Sequence, residues 1–553
     1  MYSADKPIKT SKSDKIGRKT FSQQLANAIF DFPVGDTFVV GLYGAWGSGK
    51  TSILNMTLEC LENPSKDLCD RDIIVVQFNP WNFTSCNQLI DQFFKTILAR
   101  LDREDKAEKH KAIGDALRKY SSVFELAEYI PIVGPYLKIL SRVLEGAGEH
   151  IFENAEAKEN NIFLQKENVI NALENYPGKI VVIIDDIDRL PNDQIRLIFQ
   201  LVTSVADFPH MIYLLSFDKK VVANALRETQ QCDGDDYLEK VIQVPFEVPF
   251  VKKETLLEIL RQEFCELNDN EQDQTYDAEH WQNVFNKCIS PYIRSFRDIK
   301  RYINTLRFKF SPLKGEVNFI DLAGITALQV FATPVFEWIK LHKDDLLGTS
   351  SICLDRIFIN DDINLAAYYQ DAFKKLQSKT FENDLLAVAS LFQSFAINIE
   401  ETHERTVADN ILRNDLRIAC SWCFDLYFTL SLDEIVVSQA VLNRSIREMD
   451  APELSLFLLR LKNERNLTHY LYSIHARRNT IPVSRIRLII SALFNLDFDM
   501  HQDLDDNQDF QHLLHCQSII SELLVLISNK HERCSFFCDL IKNATPNIVW
   551  ASA

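Results

Sequence analysis

The sequence predicts an α/β fold, a parallel sheet with flanking helices, followed by helices alone to the C-terminus. Three observations carry that prediction. Between Thr37 and Ser216 lie four short, unbroken apolar runs rich in Val and Ile, the pattern of strands buried on both faces. After Pro249 the apolar residues fall at helical spacing instead. The chain has 553 residues, 46% hydrophobic and 25% charged, which is ordinary globular composition and enough length for about two to four domains.

In chain order the strand runs are "TFVVGLY", "IIVVQF", "IVVIID" and "MIYLLS", and "VIQVPFEV" from Val241 to Val248 is a fifth candidate. Each of the four is followed by a turn or a helical pattern. A long helical insertion, about residues 88–178, separates the second run from the third. Pro131, Gly134 and Pro135 within "YIPIVGPYLKIL" predict a helical hairpin or a sharply broken helix pair there. Beyond the sheet, "ETLLEILRQEF" and "RDIKRYINTLRF" predict helices in a lid at 251–345, and "ELSLFLLRLKN" and "SIISELLVLISN" predict an all-α domain at 346–553. The expected organisation is an α/β core over 1–250, a helical lid, and a helical C-terminal interaction domain. No internal repeat or low-complexity tract is present.

Composition also narrows the function. A formal net charge of −18 argues against a protein that coats nucleic acid, which needs clustered Lys and Arg; a local basic patch remains compatible. The twelve cysteines are scattered and the Met1 region has no apolar segment of the secretory kind, so a reduced, cytoplasmic protein is expected. The longest uncharged run, Leu322 to Phe336, contains Gln329 and Pro334 and is shorter than the roughly 20 apolar residues of a spanning helix. A membrane protein is not expected.

The chemistry is carried by "GLYGAWGSGKTSIL". Gly44, four residues, then Gly49, Lys50 and Thr51 match the P-loop pattern, with a buried strand before and a helical pattern after. Gly44, Ala45, Trp46, Gly47, Ser48 and Gly49 would offer backbone amides to phosphate oxygens, with Lys50, Thr51 and Ser52 opening the helix whose positive end faces the anion. Lys50 is expected to reach the β and γ phosphates and Thr51 to ligate Mg²⁺. A P-loop needs an acidic partner on a neighbouring strand, and Asp185 in "KIVVIIDDIDRL" follows directly on five apolar residues. Asp185 is expected in the metal shell and Asp186 as the group that orients or activates water. The plainer alternative is two acids capping the next helix. "IIVVQF" falls between these two strands in sequence, which permits an inserted strand between them, the additional-strand type of hydrolytic P-loop proteins. "NKHE" at Asn529 to Glu532 lacks the Asp of a guanine-reading motif, so ATP is favoured over GTP.

Taken in order, "GLYGAWGSGKT", "QFNPWNF", "VVIIDDIDRL", "DYLEKVIQVPFEVPF" and "SFRDIKRYIN" resemble the blocks of the KAP family of P-loop NTPases, over about Asp14 to Ile339. The resemblance implies an ATPase with a helical lid. It places Ile16, Gly17 and Arg18 of "KIGRKTF" near the adenine, Asp218 of "LLSFDKK" as a γ-phosphate sensor, and Arg297 as the lid arginine that reports nucleotide state. The alternative for Arg297 is a surface ion pair. Arg189 and Arg294 are weaker candidates for an intersubunit finger. Membrane-bound members carry spanning hairpins between the two motifs; here "FELAEYIPIVGPYLKILSRVLEGAGEHIF" fills that slot, with only nine uncharged residues between Glu128 and Lys138, which suits an arm packed on a partner better than a span. Soluble bacterial members resemble components of anti-phage defence cassettes, which implies a protein partner encoded in the same operon; a homo-oligomer is also compatible.

Three residue groups outside this set admit plain readings. Asn79, Trp81 and Phe83 of "NPWNF" follow a buried strand, and Trp81 is expected to pack. Cys420 and Cys423 form one CxxC, with His512, Cys516, His531, Cys534 and Cys538 further on, but at helical spacings that suit buried thiols better than zinc. "HARRNTIPVSRIR", His475 to Arg487, gathers four arginines and reads as a solvated face, with an acidic partner or nucleic acid as the alternative. Function divides between an ATP-driven switch or assembly ATPase and a scaffold that binds ATP with little turnover. A kinase acting on a small molecule fits the adjacent carboxylates less well.

Overall fold

A computed structural model of the chain describes residues 6–33, 35–64, 72–83, 86–102, 107–125, 163–230, 233–268, 277–350, 364–376, 381–400, 409–429, 437–464, 466–496 and 508–543. The segment 126–162, which holds the expected broken helix pair, lies outside the described residues. The chain divides into two compact units, one of Ala4–Thr255 with Ser295–Arg297, the other of Leu256–Arg294 with Asp298–Ala553.

Five strands form the sheet of the first unit: β1 (Phe38–Tyr43), β2 (Ile73–Phe78), β3 (Lys179–Ile184), β4 (Met211–Phe217) and β5 (Val244–Glu247). They lie in the order β2-β3-β4-β1-β5, all parallel, with Val40 of β1 and Ile183 of β3 both in register with Leu214 of β4. The additional-strand type is therefore present, and the strand that intervenes is β4. "IIVVQF", which falls between the two motifs in sequence, becomes the outer strand β2. All residues of β3 and β4 are buried, which is why their runs are apolar without alternation. Their side chains nonetheless alternate between two cores. Val181, Ile183, Ile212 and Leu214 join Leu25, Ile29, Ile53 and Leu54 of helices α1 (Lys19–Asp31) and α2 (Lys50–Glu62) on one face. Ile180, Val182, Tyr213 and Leu215 join Phe93, Phe94 and Ile97 of α3 (Cys86–Leu101) on the other. β5 carries Pro245 and sits at the sheet edge, where a missing backbone N–H costs no ladder bond.

Helix α4 (Ala107–Glu125), from the insertion, packs on α3 and is anchored to the core by polar bonds. Helix α5 (Asn192–Gln200) runs into a π turn at Leu201–Val205, which widens the coil and frees carbonyls. Those carbonyls are taken up from outside the turn: Tyr120 donates to Val205 at 2.8 Å, Lys166 to Ser204 at 2.7 Å and Tyr213 to Ala206 at 2.5 Å. Helices α6 (Lys219–Gln230) and α7 (Gly234–Val241) complete the unit, and Gly234 permits their approach: a Cβ there would stand 1.9 Å from the Ala223 carbonyl oxygen.

The second unit is helical throughout its described residues. Its polar centre is Asp321, with no exposed surface, in α11 (Phe319–Phe331), following α8 (Lys253–Asn268), α9 (Ala278–Val284) and α10 (Phe296–Leu313). Arg417 Nε and the Ile418 amide each donate to Asp321 Oδ2 at 2.8 Å, and His280 Nε2 lies 2.6 Å from Oδ1. Arg417 also donates to His280 Nδ1 at 3.1 Å, so Nδ1 is an acceptor and the ring proton sits on Nε2, facing Asp321. Burial pushes the Asp321 carboxyl up, but Arg417, His280 and the Ile418 amide outweigh that and hold it below the usual carboxylate range. A depressed carboxyl contributes stability that is in place at neutral pH and is lost as pH falls through its folded-state value. Asp321→Asn, which leaves Arg417 buried without its counter-ion, is expected to cost this unit about 3 kcal/mol at neutral pH, with the deficit shrinking toward acid. Calorimetric melting against pH checks this; a melting curve identical to the parent at pH 7 would contradict it.

Described residues between Val437 and Ile527 form a further apolar core within the same unit, centred on Leu454, Leu458, Tyr470, Ile489 and Leu523. The arginines of His475–Arg487, read from sequence as a solvated face, keep part of their surface exposed, and each is bonded to a partner around this core. Arg477 bonds Asn443 and Gln439, Arg478 pairs with Glu522, Arg485 donates to the Ile446 and Met449 carbonyls, and Arg487 pairs with Glu532. Their long stems and forked heads reach across helix ends, a bracing role that sequence spacing does not distinguish from exposure.

Candidate nucleotide-binding site

β1 ends at Tyr43 and α2 begins at Lys50; the six residues between reverse the chain over the end of the sheet. Gly47 and Gly49 take φ of +80° and +91°, a region other residues rarely enter, and this folds the loop into a concave row of amides at a helix N-terminus. At Gly44 the constraint is space: a Cβ would lie 2.5 Å from Ser48 Oγ.

Because β4 separates β1 from β3, the loop after β1 faces the acids after β3 across the end of β4. Thr51 donates from Oγ1 to Asp185 Oδ2 at 2.7 Å. Asp185 Oδ1 is buried and has no hydrogen-bond partner among the described residues. A hydroxyl and a carboxylate in contact, with one anionic oxygen buried and unspent, fit a hard divalent cation, so these residues suit Mg²⁺. Lys50 Nζ donates to the Gly44 carbonyl at 2.8 Å and to Asp188 Oδ2 at 3.1 Å, both side chains being 9% exposed. Asp188 Oδ2 also accepts the Asp218 amide at 3.0 Å.

Asp186 has positive φ, 60°, and this single left-handed residue turns the chain so that Asp185 and Asp188, three apart, come to the P-loop. The Asp186 carboxylate pairs with Arg189 at 2.9 Å. Burial raises its pKa, the neighbouring Asp185 adds to the rise, and Arg189 offsets part of it. Asp188 was not among the sequence candidates. The spacing of "DDID" could have signalled it, since residues three apart share a side of a tight 3₁₀ turn, and Ile187–Arg189 is such a turn.

The remaining candidates fall into two groups. Arg297 lies against the loop: a Cβ on Gly47 would stand 3.3 Å from its Cδ. Trp46 is 68% exposed, with the Arg189 guanidinium 5.5 Å from its ring. Ala45 heads the turn, its carbonyl accepting the Ser48 amide at 3.0 Å. Arg18, expected beside the adenine, is buried and donates to the Ser48 and Pro249 carbonyls, bracing the loop. Ser52 accepts the Ile8 amide at 3.3 Å, engaging the N-terminal segment. Asp218 caps the next helix, its carboxylate accepting the Lys220 amide at 3.0 Å. Trp81, expected to pack, is 53% exposed; Pro80 starts a short turn that carries it outward, and Phe83 stacks on Phe78 in its place. A cleft of about 340 Å³ adjoins the Thr51–Asp185 pair, lined by Asn55, Gln77, Asn79 and Thr96.

The model of the KAP family P-loop domain matches residues 18–309, more than half of the chain. The chain belongs to the KAP family. Among curated proteins, this KAP chain is 24% identical over 355 residues to the phage T7 exclusion protein of Escherichia coli (strain K12), a match covering 60% of the chain and 47% of that protein. The KAP chain thus spans about half the length of that relative. Solved structures similar to it include the Aeropyrum pernix ORC2 protein in ADPNP–ADP complexes, at 14% identity and a TM-score of 0.28 over 68% of this chain and 86% of that one. Drosophila ORC bound to DNA is similar at 11% identity and a TM-score of 0.30, over 73% and 84% of the two chains. Among the described residues of the KAP chain, no helix is long and apolar enough to cross a membrane.

Proposed function

We propose that the chain is a Mg²⁺-dependent ATP-hydrolysing switch, or assembly ATPase, acting with a protein partner in defence against phage. The observation that carries it is the convergence of Lys50, Thr51, Asp185 and Asp188 on one P-loop from the ends of β1 and β3. The relative named for phage T7 exclusion supports the biological setting. A partner encoded in the same operon, or a second copy of this chain, would receive the signal.

The triphosphate would be held by the loop amides and by Lys50, which exchanges Asp188 and the Gly44 carbonyl for phosphate oxygens. Thr51 and Asp185 would hold Mg²⁺, which neutralises charge on the phosphates when bound. Asp186, once released by Arg189, accepts a hydrogen bond from the attacking water. The water oxygen bonds to the γ phosphorus as the bond to the β,γ-bridging oxygen breaks, giving ADP and phosphate, with the water proton passing to Asp186 or to phosphate. Arg297, beside the loop, is placed to read the γ-phosphate. Loss of that phosphate restores the Lys50–Asp188 pair, and this difference between states is what a switch requires.

The test is phosphate release by the purified chain, alone and with the products of neighbouring genes, for the parent, Asp186→Asn and Asp188→Asn. Asp186→Asn is expected to lower turnover about 10²-fold with nucleotide still bound. Asp188→Asn, which frees Lys50 from a competing anion, is expected to tighten ATP binding about tenfold and leave turnover within a few fold. If Asp188→Asn abolished turnover while affinity stayed unchanged, Asp188 would be the water-facing acid and Asp186 would not. The Asp186–Arg189 pair favours a second reading, a scaffold that binds ATP and rarely turns it over; ATP binding with no phosphate release under any of these conditions would select it.

A further inference from the structure

Among its described residues, the second unit buries a cation that has no counter-ion. Arg413, in the helix Asp409–Asn414, is 8% exposed, and among the described residues its guanidinium has no hydrogen bond and no ion pair. Nε and Nη2 are both buried without an acceptor. Its neighbours are aromatic: the guanidinium carbon lies 5.1 Å from the Trp422 ring centre and 5.0 Å from that of Tyr472. The two rings are 5.7 Å apart, and His469 and His515 extend the cluster at 5.2 Å from Trp422 and Tyr472 respectively.

Packing between rings recovers part of the desolvation cost of a guanidinium, but the unspent N–H donors remain costly. A buried guanidinium with two nitrogens unpaired among the described residues calls for an external partner. Two further observations say what kind. Trp422 and Tyr472 are 38% and 39% exposed, so the cluster presents aromatic surface as well as charge. The imidazoles add hydrogen-bonding capacity: His515 Nδ1 is buried and unbonded, and burial, with the Arg413 charge, lowers His469 to about 4 and keeps it neutral. A planar cation with unused N–H groups suits a phosphate, and exposed rings beside it suit a base.

We propose that Arg413, Trp422, Tyr472, His469 and His515 form a binding site for a nucleoside phosphate, taken either as a free nucleotide or as one unit of a single strand. The site belongs to the second unit and uses none of the P-loop residues. The arginines of His475–Arg487 do not assist, each being committed to a partner within the unit. In a chain of net charge −18 there is little general attraction, so recognition rests on one phosphate contact. The logarithm of the affinity should then fall with the logarithm of salt at a slope of about −0.7, not the several units of a basic groove.

Fluorescence anisotropy with fluorescein-labelled oligo-dT and oligo-U, with unlabelled AMP as competitor, tests this on the full chain carrying Lys50→Ala to silence the P-loop. We expect binding of an oligonucleotide with the shallow salt slope, weakened at least tenfold by Arg413→Met and severalfold by Arg413→Lys and Trp422→Leu. Displacement by AMP assigns the site to free nucleotides; binding without displacement assigns it to strands. Arg413→Met should melt no lower than its parent, because it removes an unpaired charge and keeps the stem. The proposal is overturned if neither oligonucleotide nor AMP binds at about 0.1 mM protein, the weak end of non-specific strand binding. It is equally overturned if Arg413→Met binds normally, or if poly-glutamate displaces the oligonucleotide. Because the readout is binding in the second unit, its failure leaves the ATPase reading standing, and an inactive P-loop leaves this site standing.

Discussion

Lys50→Ala is expected to lower ATP turnover at least about 10³-fold and to weaken nucleotide binding by an order of magnitude or more. The ammonium sits inside the P-loop, on the Gly44 carbonyl and Asp188. Its replacement removes the charge meant for the phosphates and also leaves the Asp188 carboxylate, 9% exposed, facing them unpaired. The two effects reinforce each other, since an anion now repels the ligand that a cation used to hold. Steady-state phosphate release and titration with a fluorescent ATP analogue measure both. Turnover within threefold of the parent would mean that the hydrolysis, if any, belongs to another site.

Asp185→Asn is expected to lower turnover about 10²- to 10³-fold by a different route. The amide oxygen of Asn can still accept the Thr51 hydroxyl, so the 2.7 Å contact and the local fold should survive. What is lost is the anionic oxygen that Asp185 keeps buried and unbonded. The signature is therefore in binding as well as rate: Mg²⁺ should strengthen ATP affinity in the parent and make little difference in the variant. Equal Mg²⁺ dependence in both proteins would remove Asp185 from the metal site.

The strands of the sheet were legible because burial on both faces leaves an unmistakable apolar run, and β1, β2, β3 and β4 lie at the four runs. Their order was not legible. Parallel neighbours are chosen by crossover helices and packing, and nothing in "IIVVQF" marks it for the edge rather than for the place between β1 and β3. The P-loop pattern named its residues because a phosphate cradle needs glycine at fixed points. Asp188 was harder to read, because it reaches the P-loop through the turn that one left-handed residue, Asp186, makes. Such a conformation is uncommon for a non-glycine residue and leaves no mark in the local pattern. The conspicuous arginines of His475–Arg487 are braces, whereas Arg413 stands alone in the sequence and is unusual only for what surrounds it.

The strand order has a consequence for how the chain comes into being. Among the described residues β1 bonds to β4 and β5 alone, so the stretch from Phe38 to Tyr43 finds its sheet partner once the polypeptide has been extended past Phe217. At a synthesis rate of about 5–20 residues per second, that strand waits roughly 10–35 s on the ribosome with its Val and Leu side chains unburied. β2 waits likewise for β3, from which the whole insertion separates it. None of the four strand pairings is local, a topology that folds slowly and leaves adhesive edges open meanwhile. Yield in a recombinant host should therefore respond more to translation speed and chaperone supply than to the stability of the finished fold.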